Sequence, residues 1–254
     1  MSNNALALLE PLTDPSATAA TVQAAVQGLN DEALASPADV DNLLWDAFET
    51  LFDVVGRTPP ERQGRLLEFL TQLQQTKAKD AEGKVLKQGD GDGEVWADLP
   101  TFGWVAREKW NFDETDPSAT PQQRAQWENW TAFLAQLTAQ WADDARPGGA
   151  DFSMFALWAL RAALEADGGA ASQTAVRLAA LWVCYAGAHL RKLSADGHAL
   201  PARCGVPDGK YDGHDWWGFN EDRWRAWGEE LMAAQGKLEP DEVIQGAVKL
   251  MGEL

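Results

Sequence analysis

Two stretches of the sequence carry residue types and spacings that could do chemistry. In the first, Trp96, Trp104 and Trp110 lie close together, with Asp98, Arg107, Glu108 and Asn111 among them. Arg107 and Asn111 are four residues apart, so on a helix they share a face, and Glu108 lies one residue around, near Trp104. One reading is a buried Arg/Glu/Asn network that fixes helix packing. The other is a polar pocket wall. In it Glu108 or Asp98 would act as acid/base or bind a cationic group, while Trp104, Arg107, Trp110 and Asn111 contact the substrate. The second stretch holds Tyr211, Asp212, His214, Asp215, Trp216 and Trp217 ahead of Asn220. Asp212 and Asp215 could hold a cation with Trp216 or Trp217 stacked over it. Backbone N–H groups at an Asn220 cap could hold an anion. The alternative is a loop folded over the core by its tryptophans. If both stretches faced one cleft, they would make an acidic, aromatic pocket suited to a guanidinium or a quaternary amine. His189 is a further candidate general base, one turn beyond Tyr185 on an apolar stretch. A core histidine is the competing reading.

Other constellations are weaker. The acidic run from Asp90 to Glu94 has Val95 where a calcium loop needs glycine, so it reads as a solvated loop. No phosphate-binding lysine follows it. His198, Cys204 and His214, with Asp208, Asp212 and Asp215, are zinc-type donors, but their spacing fits no ligand pattern. No metal site and no cofactor are therefore expected. Cys184, beside Leu181 and Val183, reads as a buried, inert thiol. No Gly-x-Ser-x-Gly elbow is present.

The elements that must position these residues are helical. Residues 1–15 read as a lead-in, and 16–34 as a weakly amphipathic helix. Ser36 and Pro37 start a helix with Leu44, Phe48, Leu51, Phe52 and Val55 on one face, ended by Gly56. Thr58-Pro59-Pro60-Glu61 reads as a capping box for the next helix, with Leu66, Leu67, Leu70 and Leu73 as its stripe. The short gap between these two helices implies an antiparallel pair. Residues 77–93 read as a loop with a short hairpin, and 100–110 as a helix. Thr120-Pro121-Gln122-Gln123 is a second capping box, before Trp127, Trp130, Leu134, Leu137 and Trp141 at helical spacing. Pro147-Gly148-Gly149 breaks that helix. The next runs from 152 to 166 and stops at Gly168-Gly169. Ser172 caps another, through Leu193. Residues 194–218 are long and irregular, as functional loops often are. Asn220 caps a helix with Trp224 and Trp227, and Pro240 starts the last one. The expectation is an all-α protein of eight to ten helices, an irregular multi-helix bundle or α-solenoid-like array of antiparallel helix pairs. Residues 36–254 would form one domain behind a lead-in over 1–35.

With 254 residues the chain can bury a full core. Its 13 tryptophans are spread over almost every helical segment, which points to a general packing device. The net charge of −18 repels phosphate backbones and attracts cations, so nonspecific nucleic-acid binding is not expected. Two cysteines fit a reducing cytoplasm, and no basic, apolar start suggests a signal peptide. The apolar stretch over 178–190 is too short to span a membrane.

Trp96-x-Asp98-Leu99-Pro100-x-Phe102-Gly103-Trp104, with Glu108-x-Trp110-Asn111, resembles a large fungal family catalogued as a domain of unknown function. So do Ala156-Leu157-Trp158-Ala159-Leu160-Arg161-x-Ala163-Leu164-Glu165 and Asn220-x-x-Arg223-Trp224-x-x-Trp227. The likeness covers most of residues 40–230. It implies an all-helical intracellular fold, often in a biosynthetic setting, and brings no assigned catalytic residues. The chain is also similar to the fungal arginine-containing cyclodipeptide synthases, which join aminoacyl groups delivered by tRNA. That likeness implies an enzyme of specialised metabolism with a small-molecule or aminoacyl substrate bearing a cationic group. Binding aminoacyl-tRNA would require a local basic patch. Arg57, Arg62 and Arg65, or Arg177, Arg191 and Lys192, are the clusters on offer. The competing reading is a noncatalytic helical interaction protein. It expects Asp98, Arg107, Glu108 and Asn111 to be paired and shielded.

Overall fold

A computed structural model describes residues 3–88, 93–113, 116–142, 151–167 and 172–254. Among them are α1 (Asn3–Leu9), α2 (Ala19–Ala35), α3 (Val40–Gly56), α4 (Gly64–Gln75), α5 (Phe102–Trp110) and α6 (Pro121–Trp141). They are followed by α7 (Ser153–Leu164), α8 (Gln173–Ala195), α9 (Ala202–Gly205), α10 (Glu221–Gln235) and α11 (Glu242–Glu253). No β-strand occurs among the described residues, only isolated bridges, so the protein is all-α. The acidic run at 89–92 and the Pro147 and Gly168 breaks lie outside the described residues.

The chain divides into two compact units. The first comprises residues 1–112, 125–133 and 144–150; the second comprises 113–124, 134–143 and 151–254. In the first, α1 packs on α2 and α3, and α5 packs on α3. Residues 3–13 are therefore more than a lead-in: Ala5, Leu9 and Leu12 are buried core. The apolar face of α3 meets α5 through Phe102, whose ring centroid lies 5.4 Å from Phe48 and 5.3 Å from Phe52. Trp130 of α6 donates its indole N–H to the Phe52 carbonyl at 2.7 Å. Each fully buried aliphatic or aromatic side chain of this kind contributes roughly 1.5–3 kcal/mol.

Two local expectations fail here. Thr58 does not cap a helix. Its hydroxyl donates back to the Val54 carbonyl at 2.7 Å, and α4 starts only at Gly64, after a 3-10 turn over Pro60–Arg62. The two prolines hold the chain extended and then tight, which moves the helix start downstream. The redirected α4 packs chiefly on α2, not on α3 as the short connection suggested.

In the second unit, α7 packs on α8, α8 on α11, and α10 on all three. Three caps form as the sequence indicates. Thr120 and Gln123 make a reciprocal capping box, Ser172 accepts from the Ala175 N–H, and Asn220 accepts from the Arg223 N–H. The last helix starts at Glu242, two residues later than expected, capped by Asp241, which also pairs with Arg177 at 2.7 Å.

Candidate functional site

The first stretch lies in the first unit. A turn precedes α5, in which the Asp98 carboxylate accepts the Glu94 N–H at 2.7 Å. Leu99 is held at φ 43°, a backbone region costly for a residue with a Cβ. Trp96 is buried and donates its indole N–H to Asn30 at 3.1 Å. Trp110 is half-buried against Phe112, which stacks on Trp127 with a centroid separation of 4.8 Å. Trp110, Phe112 and Trp127 thus pack together. The polar side of α5 lies at the surface. Trp104 is 72% exposed, and Arg107, Glu108 and Asn111 lie exposed with it. The shared face is real, but α5 turns it outward, because Phe102, Val105 and Ala106 form the apolar side that α3 covers. A shielded Arg/Glu/Asn network is therefore not the arrangement.

The second stretch lies in the second unit, as does half-buried His189 on α8. Its segment is bound to its own base. The Leu200 N–H donates to the Trp217 carbonyl at 2.6 Å, and the Phe219 N–H donates to the His198 carbonyl at 2.9 Å. A Cβ at Gly205 would sit 2.4 Å from the Trp217 carbonyl oxygen, and one at Gly218 would sit 2.4 Å from the His198 oxygen. Gly218 also adopts φ 145°. Glycine is thus required at both positions for the backbones to approach this closely.

Beneath the loop is a charge pair that the sequence did not single out as a site. Glu165 ends α7 and Arg223 begins α10, and both side chains are fully buried. The guanidinium donates to Glu165 through Nε at 2.7 Å and Nη2 at 2.9 Å. It also donates to the carbonyls of Gly205 at 2.6 Å, Gly218 at 2.9 Å and Val206 at 3.2 Å. Glu165 further accepts the Trp227 indole N–H at 2.6 Å and the Asp208 backbone N–H at 3.0 Å. Arg161, spaced to pair with Glu165, instead donates to the Cys204 and Val206 carbonyls. Every donor of the pair is matched, so the buried charges rigidify the loop. The available signal was a glutamate closing an apolar helix, and an arginine four residues before Trp227 on one helix face.

Above this node, Tyr211, His214 and Trp216 cluster. The His214 ring centroid lies 4.5 Å from Trp216 and 5.4 Å from Tyr211. The Tyr211 hydroxyl donates to Glu230 at 3.1 Å. Burial, and then the Glu230 carboxylate, push its ionisation up to about 12, so the phenol keeps its proton. Consecutive tryptophans take opposite sides: Trp216 is buried, whereas Trp217 is 51% exposed. The Trp217 indole N–H donates to the Asp215 carboxylate at 2.5 Å. Asp212 and Asp215 are exposed. Among the described residues, no group of three or more His, Cys, Asp or Glu is placed to hold a metal. No described helix is long and apolar enough to cross a membrane.

Both basic clusters are engaged within the fold. Arg57 pairs with Glu10, Arg62 donates to the Thr13 carbonyl, and Arg65 donates to the Ala17 carbonyl at 3.1 Å. Arg191 pairs with Glu221, and Lys192 with Asp196. Arg62 also borders an open groove of about 630 Å³, whose walls include Glu10, Asp14 and Ser16.

No curated protein and no solved structure matches the chain. Residues 48–231 match a family described as a protein of unknown function, DUF3632. That span contains α5, Glu165 and Arg223 and takes in all three stretches of the likeness read from the tryptophans. The chain belongs to this DUF3632 family of unknown function.

Proposed function

We propose that the chain is a helical interaction protein whose exposed rings, rather than a shielded Asp98/Arg107/Glu108/Asn111 network, make the contacts, and that the loop over 205–218 is its recognition edge with Trp217 as anchor. The observation that carries this reading is a half-exposed tryptophan on a backbone fixed from below by the Glu165–Arg223–Trp227 node. A large ring held at the surface loses little freedom on binding, which is why such tryptophans carry much of an interface's energy. Trp104 on α5 is a second exposed ring, flanked by Arg107 and Glu108, and would serve as a second contact.

The test is a photo-crosslinking residue at position 217, compared with one at exposed Trp45, in the native host. Capture of one defined species from 217 alone, competed away by the unlabelled chain but not by its Trp217→Ala variant at unchanged melting temperature, is the expected result. Equal capture from both positions, or none from 217, would reject the reading.

A second reading is an enzyme of specialised metabolism that forms a cyclodipeptide from arginyl-tRNA and a second aminoacyl-tRNA. The exposed Asp212 and Asp215 beside Trp217 favour it, as groups suited to an arginyl side chain. Metabolite profiling of an expressing host decides this. A new cyclic dipeptide that Asp215→Asn removes supports the enzyme, and an unchanged profile sinks it. Both readings place the protein in a fungal cytoplasm, which its two unpaired cysteines suit.

A further inference from the structure

We infer that Trp217 and Asp215 receive an arginine side chain from a basic segment of a partner protein, an inference that rests on the interaction reading above. The loop already encloses one guanidinium. Arg223 lies 5.7 Å from the Trp216 ring centroid and 5.2 Å from that of Trp227, with the Glu165 carboxylate bonded to it. Ring face, carboxylate and guanidinium make up that inner arrangement. On the outer side, Trp217 and Asp215 present a ring and a carboxylate in hydrogen-bond contact at 2.5 Å. The indole takes one position on the carboxylate, which can accept several bonds, so it can also accept from a guanidinium.

Three physical arguments select the occupant. The first is charge. Asp215 bonds the exposed ring, Asp208 and Asp212 lie exposed on the same loop, and of the neighbouring cations Arg203 is exposed and Lys210 is held by Glu230 at 2.6 Å. The local field is acidic within a chain of net charge −18, so it draws in basic segments and repels acidic ones. The second is shape. A guanidinium is planar, stacks on an indole and bonds a carboxylate in its own plane, whereas an ammonium does neither as well. The third is preorganisation. The Trp217 carbonyl is fixed by the Leu200 N–H, and Gly205 packs against it, so the receptor needs no ordering when the arginine arrives.

The full chain is titrated with fluorescent peptides of equal charge magnitude, one arginine-rich, one lysine-rich and one acidic, read by anisotropy. The arginine peptide is expected to bind about tenfold more tightly than the lysine peptide, and the acidic peptide not at all. Asp215→Asn and Trp217→Ala should each weaken arginine-peptide binding about tenfold, and Trp217→Phe less. Because position 217 is half-exposed, melting temperature should not move, which separates lost binding from lost fold. Equal binding of arginine and lysine peptides, or indifference to Asp215→Asn, overturns the inference in favour of a general acidic field. Free arginine amide matching the peptide's affinity overturns the peptide segment as occupant. Crosslinking from position 217 without arginine-peptide binding sinks this inference and leaves the interaction reading standing. Failure of both assays sinks both.

Discussion

Replacing Glu165 by alanine should be the most damaging single change in the second unit. Glu165 and Arg223 are fully buried, so the mutant leaves a guanidinium away from water without its counter-charge. Breaking one side of such a pair costs about 3–5 kcal/mol. The Trp227 indole and the Asp208 N–H also lose their acceptor, at about 1–3 kcal/mol for a buried group left unmatched. These losses overlap at one site, so about 4–6 kcal/mol is expected in total. At roughly 2–4 °C per kcal/mol for a chain this size, melting should fall by about 8–24 °C. Thermal unfolding followed by circular dichroism reads this directly. Arg223→Met should cost about as much alone, since it orphans the carboxylate and the carbonyls of Gly205 and Gly218. The informative variant is the double mutant, Glu165→Ala with Arg223→Met. An apolar pair removes both buried charges, so its cost should fall short of the summed singles by about 2 kcal/mol or more. If Glu165→Ala costs under about 1 kcal/mol, or the double mutant equals the sum, the pair does not brace the loop as argued.

Other perturbations probe separate parts of the fold. Gly218→Ala places a Cβ on the His198 carbonyl at a left-handed backbone position. It should cost about 1–3 kcal/mol and speed amide exchange at Leu200 and Phe219 while α8 stays protected. For Asp241, burial opposes ionisation, but the Arg177 pair and the Ile244 and Val243 N–H groups outweigh it and hold the carboxyl below its usual 3.8. A depressed folded value means this stability is present above 3.8 and is lost as pH falls through the lower folded value. Asp241→Asn keeps the cap and should lose about 1 kcal/mol at neutral pH, with a flatter acid limb in urea melts; an unchanged acid limb would refute it. Tyr211 is raised, so the sign reverses: its contribution is complete below the ordinary tyrosine value of 10 and fades as pH rises through about 12. Phenolate absorbance should show a late-titrating tyrosine that Tyr211→Phe removes and Glu230→Gln shifts down.

Much of the local structure was legible in the sequence because it depends on neighbours in the chain. Thr120 with Gln123, Ser172 and Asn220 cap helices through bonds spanning three residues, and those caps form where the residue types put them. The apolar stripe of α3 was equally plain, since helical period alone brings Phe48 and Phe52 together. Thr58 shows the limit even locally. Its motif fits a capping box, yet the Pro59-Pro60 pair leaves its hydroxyl to bond backward to Val54.

What the sequence determined by itself was an all-helical chain with tryptophan as its packing residue, and a shared face for Arg107 and Asn111 with Glu108 one residue around. Which faces are covered was decided by tertiary structure. A helix period fixes the angle between two side chains, but not whether a neighbouring helix lies over them. So α5 could carry its polar stripe inward or outward, and packing of Phe102 on α3 turned it outward. Arg223 likewise could have been a surface cation. It became the centre of the second unit because the fold brings it to Glu165, 58 residues away in sequence, and no local rule reaches that far.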